Sequence, residues 1–123
     1  MSQRTMLSPS AEHPITIEPN PHRIVVRIGD RVIADTANAL TLREANYPAV
    51  QYIPRADVDM AQLRASDHGS YCPYKGEAGY FDLPALGQDG ANAVWTYEQP
   101  YDAVSPIAGH VAFYPDRVTL SEG

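Results

Sequence analysis

Arg23-Ile24-Val25-Val26-Arg27-Ile28-Gly29-Asp30-Arg31-Val32-Ile33-Ala34-Asp35 is the stretch whose reading decides the fold. Two β-branched, apolar runs flank a Gly-Asp pair, and a glycine can take the positive φ that a tight reversal needs, so the segment predicts a β-hairpin. The same grammar of short apolar runs and turn residues continues on both sides.

Toward the N-terminus, Ile15-Thr16-Ile17-Glu18 alternates apolar and polar residues before Pro19-Asn20-Pro21 forces an extended or turning path, which predicts a short edge strand. Residues 1–13 are polar and are expected to be a mobile lead-in to one β domain over residues 14–120. Toward the C-terminus, Leu40 and Leu42 alternate within Asn38 to Glu44, a segment too short for a stable helix and therefore predicted as a strand. Pro48 and Pro54 bracket Ala49 to Ile53, a strand with Val50 and Tyr52 on one face and Gln51 and Ile53 on the other. Asp57 or Asp59 is expected to cap one helical turn at Met60 to Leu63. Gly79 to Leu83 and Val94 to Tyr97 read as further strands, the second with Trp95 and Tyr97 on one face, and Gly87 to Gly90 as a turn between them. Ala108 to Tyr114 and Arg117 to Leu120, broken at Pro115-Asp116, predict a second hairpin. About seven to nine short strands, mostly antiparallel, without βαβ spacing, imply an all-β sandwich or tent-like folded sheet with one short helical turn.

The composition suits one core. At 123 residues with 44% hydrophobic and 20% charged side chains, the chain is long enough for a single globular domain and unlike disordered sequences. Eight tyrosines against two phenylalanines predict half-exposed aromatic positions. A net charge of -6, from 15 acidic and 9 basic side chains, disfavours phosphate backbones and anionic membranes, so neither nucleic acid nor a membrane is expected as a partner. The single cysteine excludes an intramolecular disulfide and a four-cysteine zinc cage. A metal site would have to draw on Cys72, His68 and His110 or His13 from distant strands, and no metal or other cofactor is expected. One free thiol fits a reducing compartment, and cytoplasmic residence is the expectation.

The densest chemistry lies at Tyr71-Cys72-Pro73-Tyr74-Lys75-Gly76-Glu77-Ala78-Gly79-Tyr80, preceded by His68-Gly69. Pro73, Gly76 and Gly79 predict a tight, shaped segment rather than a long regular element. It is not a phosphate-binding P-loop, which needs four residues between its glycines and a Ser or Thr after the lysine.

Together with Ile33-Ala34-Asp35, Tyr52-Ile53-Pro54 followed by Asp57-Val58, Trp95 with Tyr97 and Pro100, and Val111-Ala112-Phe113-Tyr114, the Cys72-Pro73-Tyr74-Lys75-Gly76 segment resembles the family catalogued as domain of unknown function 427. The resemblance covers about residues 14–120 and implies a mostly β fold. Part of that family carries a nucleotidyltransferase-like label, yet the spaced acidic pair and glycine-serine approach of metal-dependent nucleotidyltransferases are not found here, since Asp57 and Asp59 stand two residues apart. Tyr71 stands where the family more often has threonine or another small polar residue.

The residues of the central segment admit more than one role. Cys72 reads either as a thiolate nucleophile, with Lys75 stabilising the anion and His68 as base, or as a small buried hydrophobe. Lys75 reads either as an anchor for an anion or as a surface lysine whose stem covers a tyrosine ring. Tyr52, Tyr74, Tyr80, Trp95 and Tyr97 read either as an aromatic wall for a planar or sugar-like ligand or as ordinary core. Glu44 and Asp57 read as solvated, although a carboxylate near Lys75 would be a natural partner. Three functions follow. The first is a small-molecule binding module, anionic or nucleotide-like ligands included, anchored by Lys75, Tyr74 and His68. The second is an enzyme with a Cys72 nucleophile, and the third a homo-oligomer that pairs edge strands without a ligand.

Overall fold

The computed structural model describes residues 5–123, and its described residues form ten short strands, all paired antiparallel. They are β1 (Ile15–Pro19), β2 (Ile24–Ile28), β3 (Arg31–Thr36), β4 (Leu40–Glu44), β5 (Val50–Pro54), β6 (Arg64–Cys72), β7 (Gly76–Asp82), β8 (Val94–Thr96), β9 (His110–Phe113) and β10 (Thr119–Glu122). Seven make one sheet in the order β1-β4-β5-β9-β8-β7-β6, and three make a second in the order β10-β2-β3. The two sheets pack as a sandwich-like all-β domain.

The hairpin of β2 and β3 turns at Gly29, whose φ is +57°, and contains a register shift after Val26. Its inner face contributes Ile24, Val26, Ile33 and Ala34, which pack with Ile53, Leu83, Val94, Val111 and Phe113 of the large sheet and its connections. The other face of the large sheet buries a second group, Leu42, Tyr52, Ala78, Tyr97 and Ala112, under Val104 and Ile107 of the short 3₁₀ segment Asp102–Ile107. Alternation therefore sends Ile53 and Val111 into one core and their chain neighbours Tyr52 and Ala112 into the other.

Several expectations are corrected. The stretch Tyr71 to Tyr80, expected as a tight, shaped segment rather than a long regular element, instead ends the longest strand, β6 (Arg64–Cys72), and begins β7; only residues 73–75 are the turn of a β6–β7 hairpin in which Cys72 pairs with Gly76. Gly76 has φ +110°, but Gly79 has no positive φ and simply pairs with Gly69 and Thr96. The second expected hairpin does not form. β9 already has β5 and β8 on its two sides, so the chain turns away at Tyr114–Arg117 and β10 pairs with β2 in the small sheet. The helical turn at Met60–Gln62 is present, but it is 3₁₀ and is joined by other 3₁₀ segments at Arg55–Asp57, Pro84–Gly90 and Asp102–Ile107. Neither aspartate caps by its side chain: Asp57 accepts from the Thr36 hydroxyl at 2.7 Å, and Asp59 from the Gln62 amide at 2.8 Å.

The expected lead-in lies outside the described residues at positions 1–4. Among residues 5–13, the Leu7 amide donates to the Pro73 carbonyl at 2.9 Å.

Gly90 closes the connection from β7 to β8: its carbonyl accepts from the Leu83 amide at 2.9 Å, and a Cβ on it would sit 2.0 Å from the Leu83 carbonyl oxygen. Backbone cannot yield as a flexible side chain can, so Gly90→Ala is expected to lower unfolding free energy by about 2 kcal/mol or more, measured by urea denaturation. Gly69→Ala, whose Cβ meets its nearest atom at 3.6 Å, is expected to stay within about 0.5 kcal/mol of the parent.

Candidate functional site

The β6–β7 turn holds Lys75 by its backbone from two sides. Its amide donates to the Cys72 carbonyl at 3.2 Å, and its carbonyl accepts from the Tyr101 amide at 3.0 Å. Gly76 takes a φ of +110°, which side-chain-bearing residues rarely adopt, and so turns the chain beside the 99–101 loop, where a Cβ would stand 3.5 Å from the Gln99 carbonyl oxygen. The side chain of Lys75 then runs inward and is only 11% exposed.

There it meets a carboxylate that the sequence reading left in solvent. Glu44 Oε1 accepts from Lys75 Nζ at 2.5 Å, and Glu44 Oε2 accepts from His13 Nε2 at 2.7 Å. The β1–β4 pairing brings His13 to this place: Ile15 is opposite Glu44, and the Ala45 amide donates to the Pro14 carbonyl at 2.8 Å. The imidazole stacks flat on Tyr74, with centroids 4.0 Å apart and planes within 6°. Glu44, 13% exposed by its side chain, is pushed upward by burial, but the hydrogen bonds from Lys75 and His13 and their charges outweigh this and hold its carboxyl below the ordinary range.

Lys75 and Glu44 form one end of a cleft of about 180 Å³, walled by Leu42, Val50, Tyr52, Tyr80, Trp95, Tyr97 and Tyr114 and rimmed by Tyr47 and Pro48. Cross-strand register assembles the wall. Tyr80 lies opposite Trp95, and Trp95 lies opposite Ala112, whose small side chain keeps that row open. The Trp95 indole meets Tyr52 edge-on at 6.4 Å and donates from Nε1 to the Tyr52 hydroxyl at 3.2 Å. Tyr114 lies against the other side of Trp95 at 4.6 Å. Burial pushes the Tyr52 phenol up to about 12 and drives Tyr97 higher still, while burial together with nearby Tyr80 raises Tyr114, so these hydroxyls keep their protons at neutral pH.

Of the sequence candidates, Lys75, Tyr52, Tyr80, Trp95 and Tyr97 line this one cleft. Tyr74 lies behind it on His13, and the exposed His68 ring rests on Tyr80 at 4.5 Å, with its backbone amide donating to the Ser66 hydroxyl at 3.1 Å. Cys72 is half-buried against the second core, its sulfur 3.9 Å from Lys75 Nζ. Tyr114 was missed by sequence reasoning, Glu44 was read as solvated though named as a possible partner for Lys75, and His13 was named only as a possible metal ligand. A signal existed for two of them: the alternation of Leu40 and Leu42 continues to Glu44, and that of Ala112 to Tyr114, on the same face. His13 carried no signal, because only strand pairing brings it near.

A broader, shallow hollow of about 610 Å³ lies along Tyr71, Gly76 to Gly79 and Glu98 to Tyr101. Its Tyr71 and Tyr101 hydroxyls bond to each other at 2.5 Å, Tyr71 also donates to the Thr5 carbonyl, and Glu98 is held by Arg55. The smaller cleft combines buried charge with an aromatic lining and is the stronger candidate. Among the described residues no group of three or more His, Cys, Asp or Glu side chains is placed to hold a metal ion, and no helix is long and apolar enough to cross a membrane.

Because the folded state holds the Glu44 carboxyl below its ordinary value of 4.5, its contribution to stability is complete above that value and is lost as pH falls through the lowered folded-state value. Glu44→Gln is expected to cost about 1–3 kcal/mol at pH 7, less than a fully buried pair because the cleft admits water. The gap between parent and variant in thermal melts should narrow steadily below pH 4.5; a gap constant from pH 7 to 3 would mean that the carboxylate charge contributes nothing.

A family model described as Domain of unknown function (DUF427) matches residues 16–122, which span every strand but the first residue of β1. No curated protein matches the chain. With that match running through both sheets and through every residue of the cleft, the chain belongs to the DUF427 family.

Proposed function

We propose that this domain is a small-molecule binding module and that its site is the cleft between Lys75–Glu44 and the Tyr52–Trp95–Tyr97 wall. The observation that carries the reading is a lysine and a glutamate paired at 2.5 Å at the end of an aromatic-lined hollow, where burial is unfavourable for both charges. Polar groups set into an apolar recess are the usual make-up of a ligand site. At about 180 Å³ the hollow is below the ~300–1,000 Å³ of drug-sized pockets, which favours a compact ligand over a nucleotide. Glu44 already balances Lys75, so an anion gains less there than a lone lysine would offer.

The nucleophile reading of Cys72 draws on Lys75 Nζ at 3.9 Å, but that ammonium is engaged by Glu44 and His68 is turned to Tyr80. Edge pairing between subunits draws on the exposed β6, whose register shift between Ala65 and Gly69 and charged Arg64 and Asp67 are devices that discourage it. Cytoplasmic residence, suited to a single thiol, belongs to the same proposal.

A panel of compact polar metabolites screened by thermal shift is expected to include one that raises Tm, with the shift lost in Lys75→Met and partly kept in Lys75→Arg. A panel with no stabilising member, or a shift unchanged in Lys75→Met, would sink the reading. Cys72 is expected to react with iodoacetamide at pH 7 more slowly than glutathione, because its thiol is half-buried; faster labelling would favour the nucleophile instead.

A further inference from the structure

Tyr97 lines the cleft with a relative exposure of only 7%, and its hydroxyl has no hydrogen-bond partner among the described residues; that oxygen is not one of the buried unpartnered atoms, so it opens to the cleft. A phenylalanine would fill the same space, and the hydroxyl bonds nothing within the described residues, so packing gives no reason for the oxygen. Tyr52 is in a related position. Its hydroxyl accepts the Trp95 indole hydrogen, which leaves its own hydrogen free to be donated. Lys75 has three hydrogens and two contacts, Glu44 and the Cys72 sulfur, and so retains one more. Three residues with a hydrogen to donate therefore line the same small cavity, and each oxygen of the one carboxylate there, Glu44, already accepts a hydrogen bond, from Lys75 and from His13.

We infer that the deep end of the cleft receives an acceptor oxygen of a small organic ligand, a carboxylate or carbonyl oxygen, bound by the Tyr97 and Tyr52 hydroxyls with Lys75 alongside. The inference rests on the binding role proposed for the cleft and names its ligand class. Burial keeps both phenols protonated, so they act as donors throughout the neutral range. The remaining wall, Trp95, Tyr80 and Val50, suits a flat apolar body, and a cavity of about 150 Å³ is known to accommodate benzene. A single ring carrying one acceptor group is the matching size.

Trp95 is the only tryptophan, so its indole N–H gives one resolved signal at the site itself. Benzoate, benzamide and toluene are titrated against ¹⁵N-labelled protein and Tyr97→Phe, following that signal. Benzoate or benzamide is expected to move it saturably, with binding at least tenfold weaker in Tyr97→Phe, while toluene does not distinguish the two proteins. Which of benzoate and benzamide binds tells carboxylate from carbonyl. The unliganded Tm of Tyr97→Phe should equal or exceed that of the parent; a fall would give the hydroxyl a partner within the fold and overturn the inference. Saturable binding that Tyr97→Phe leaves unchanged overturns it too but keeps the cleft as a binding site. If no probe moves the Trp95 signal, the inference and the proposed site fail together.

Discussion

The large sheet is covered on both faces along its central strands, and most of the molecule follows from that constraint. β5, β9 and β8 send alternate side chains into two separate cores, so Ile53 and Val111 meet the small sheet while Tyr52, Ala112 and Trp95 face the 3₁₀ segment Asp102–Ile107 and the cleft. A slip of one residue in any of these pairings would exchange the two sets and place tyrosine rings against the tightly filled aliphatic core. The first core, rich in Ile, Val and Leu, fixes the register; the second, made of large rings beside the small Ala78 and Ala112, is the one that leaves a hollow.

Into that hollow the structure brings charge. Lys75 reaches it because the β6–β7 turn is pinned by Cys72 and Tyr101, and Glu44 reaches it as the last residue of β4. Both are nearly covered, and pairing with His13 as well as Lys75 is what keeps Glu44 ionised despite the burial that opposes it. The pair also ties distant parts of the chain together: the N-terminal approach to β1, the end of β4 and the central hairpin converge on one carboxylate. Removing Glu44 leaves the nearly covered Lys75 without its carboxylate, and removing Lys75 leaves Glu44 with His13 alone, so the arrangement is of more consequence than an exposed ion pair such as Arg23–Asp35.

The site is asymmetric in its hydrogen bonding. Each carboxylate oxygen accepts a hydrogen bond, whereas the phenols of Tyr52 and Tyr97 have hydrogens to give and no acceptor among the described residues. An aromatic-lined hollow with donors to spare disfavours a wholly apolar occupant, which would leave those donors unsatisfied. This lining arises from the sheet rather than from any contiguous motif, as Tyr52 lies on β5, Trp95 on β8, Tyr97 just beyond its end and Lys75 in the β6–β7 turn.

Local pattern was sufficient for the β class, for the β2–β3 hairpin, for the opposite faces of Tyr52 and Ile53, and for the shared face of Trp95 and Tyr97, because side-chain alternation and turn residues act within a few positions. It also marked Lys75 within a turn. It was insufficient for β6, whose polar Arg64 to Cys72 run lacks an apolar stripe because an edge strand needs none, and for β10, whose partner β2 lies 92 or more residues earlier. The meeting of His13, Glu44 and Lys75 was likewise set by the β1–β4 register and the pinned turn. Amino-acid order determined which segments extend and where they reverse; the pairing of remote strands decided which of their polar atoms share one enclosure, since hydrogen bonding between strands is indifferent to distance along the chain.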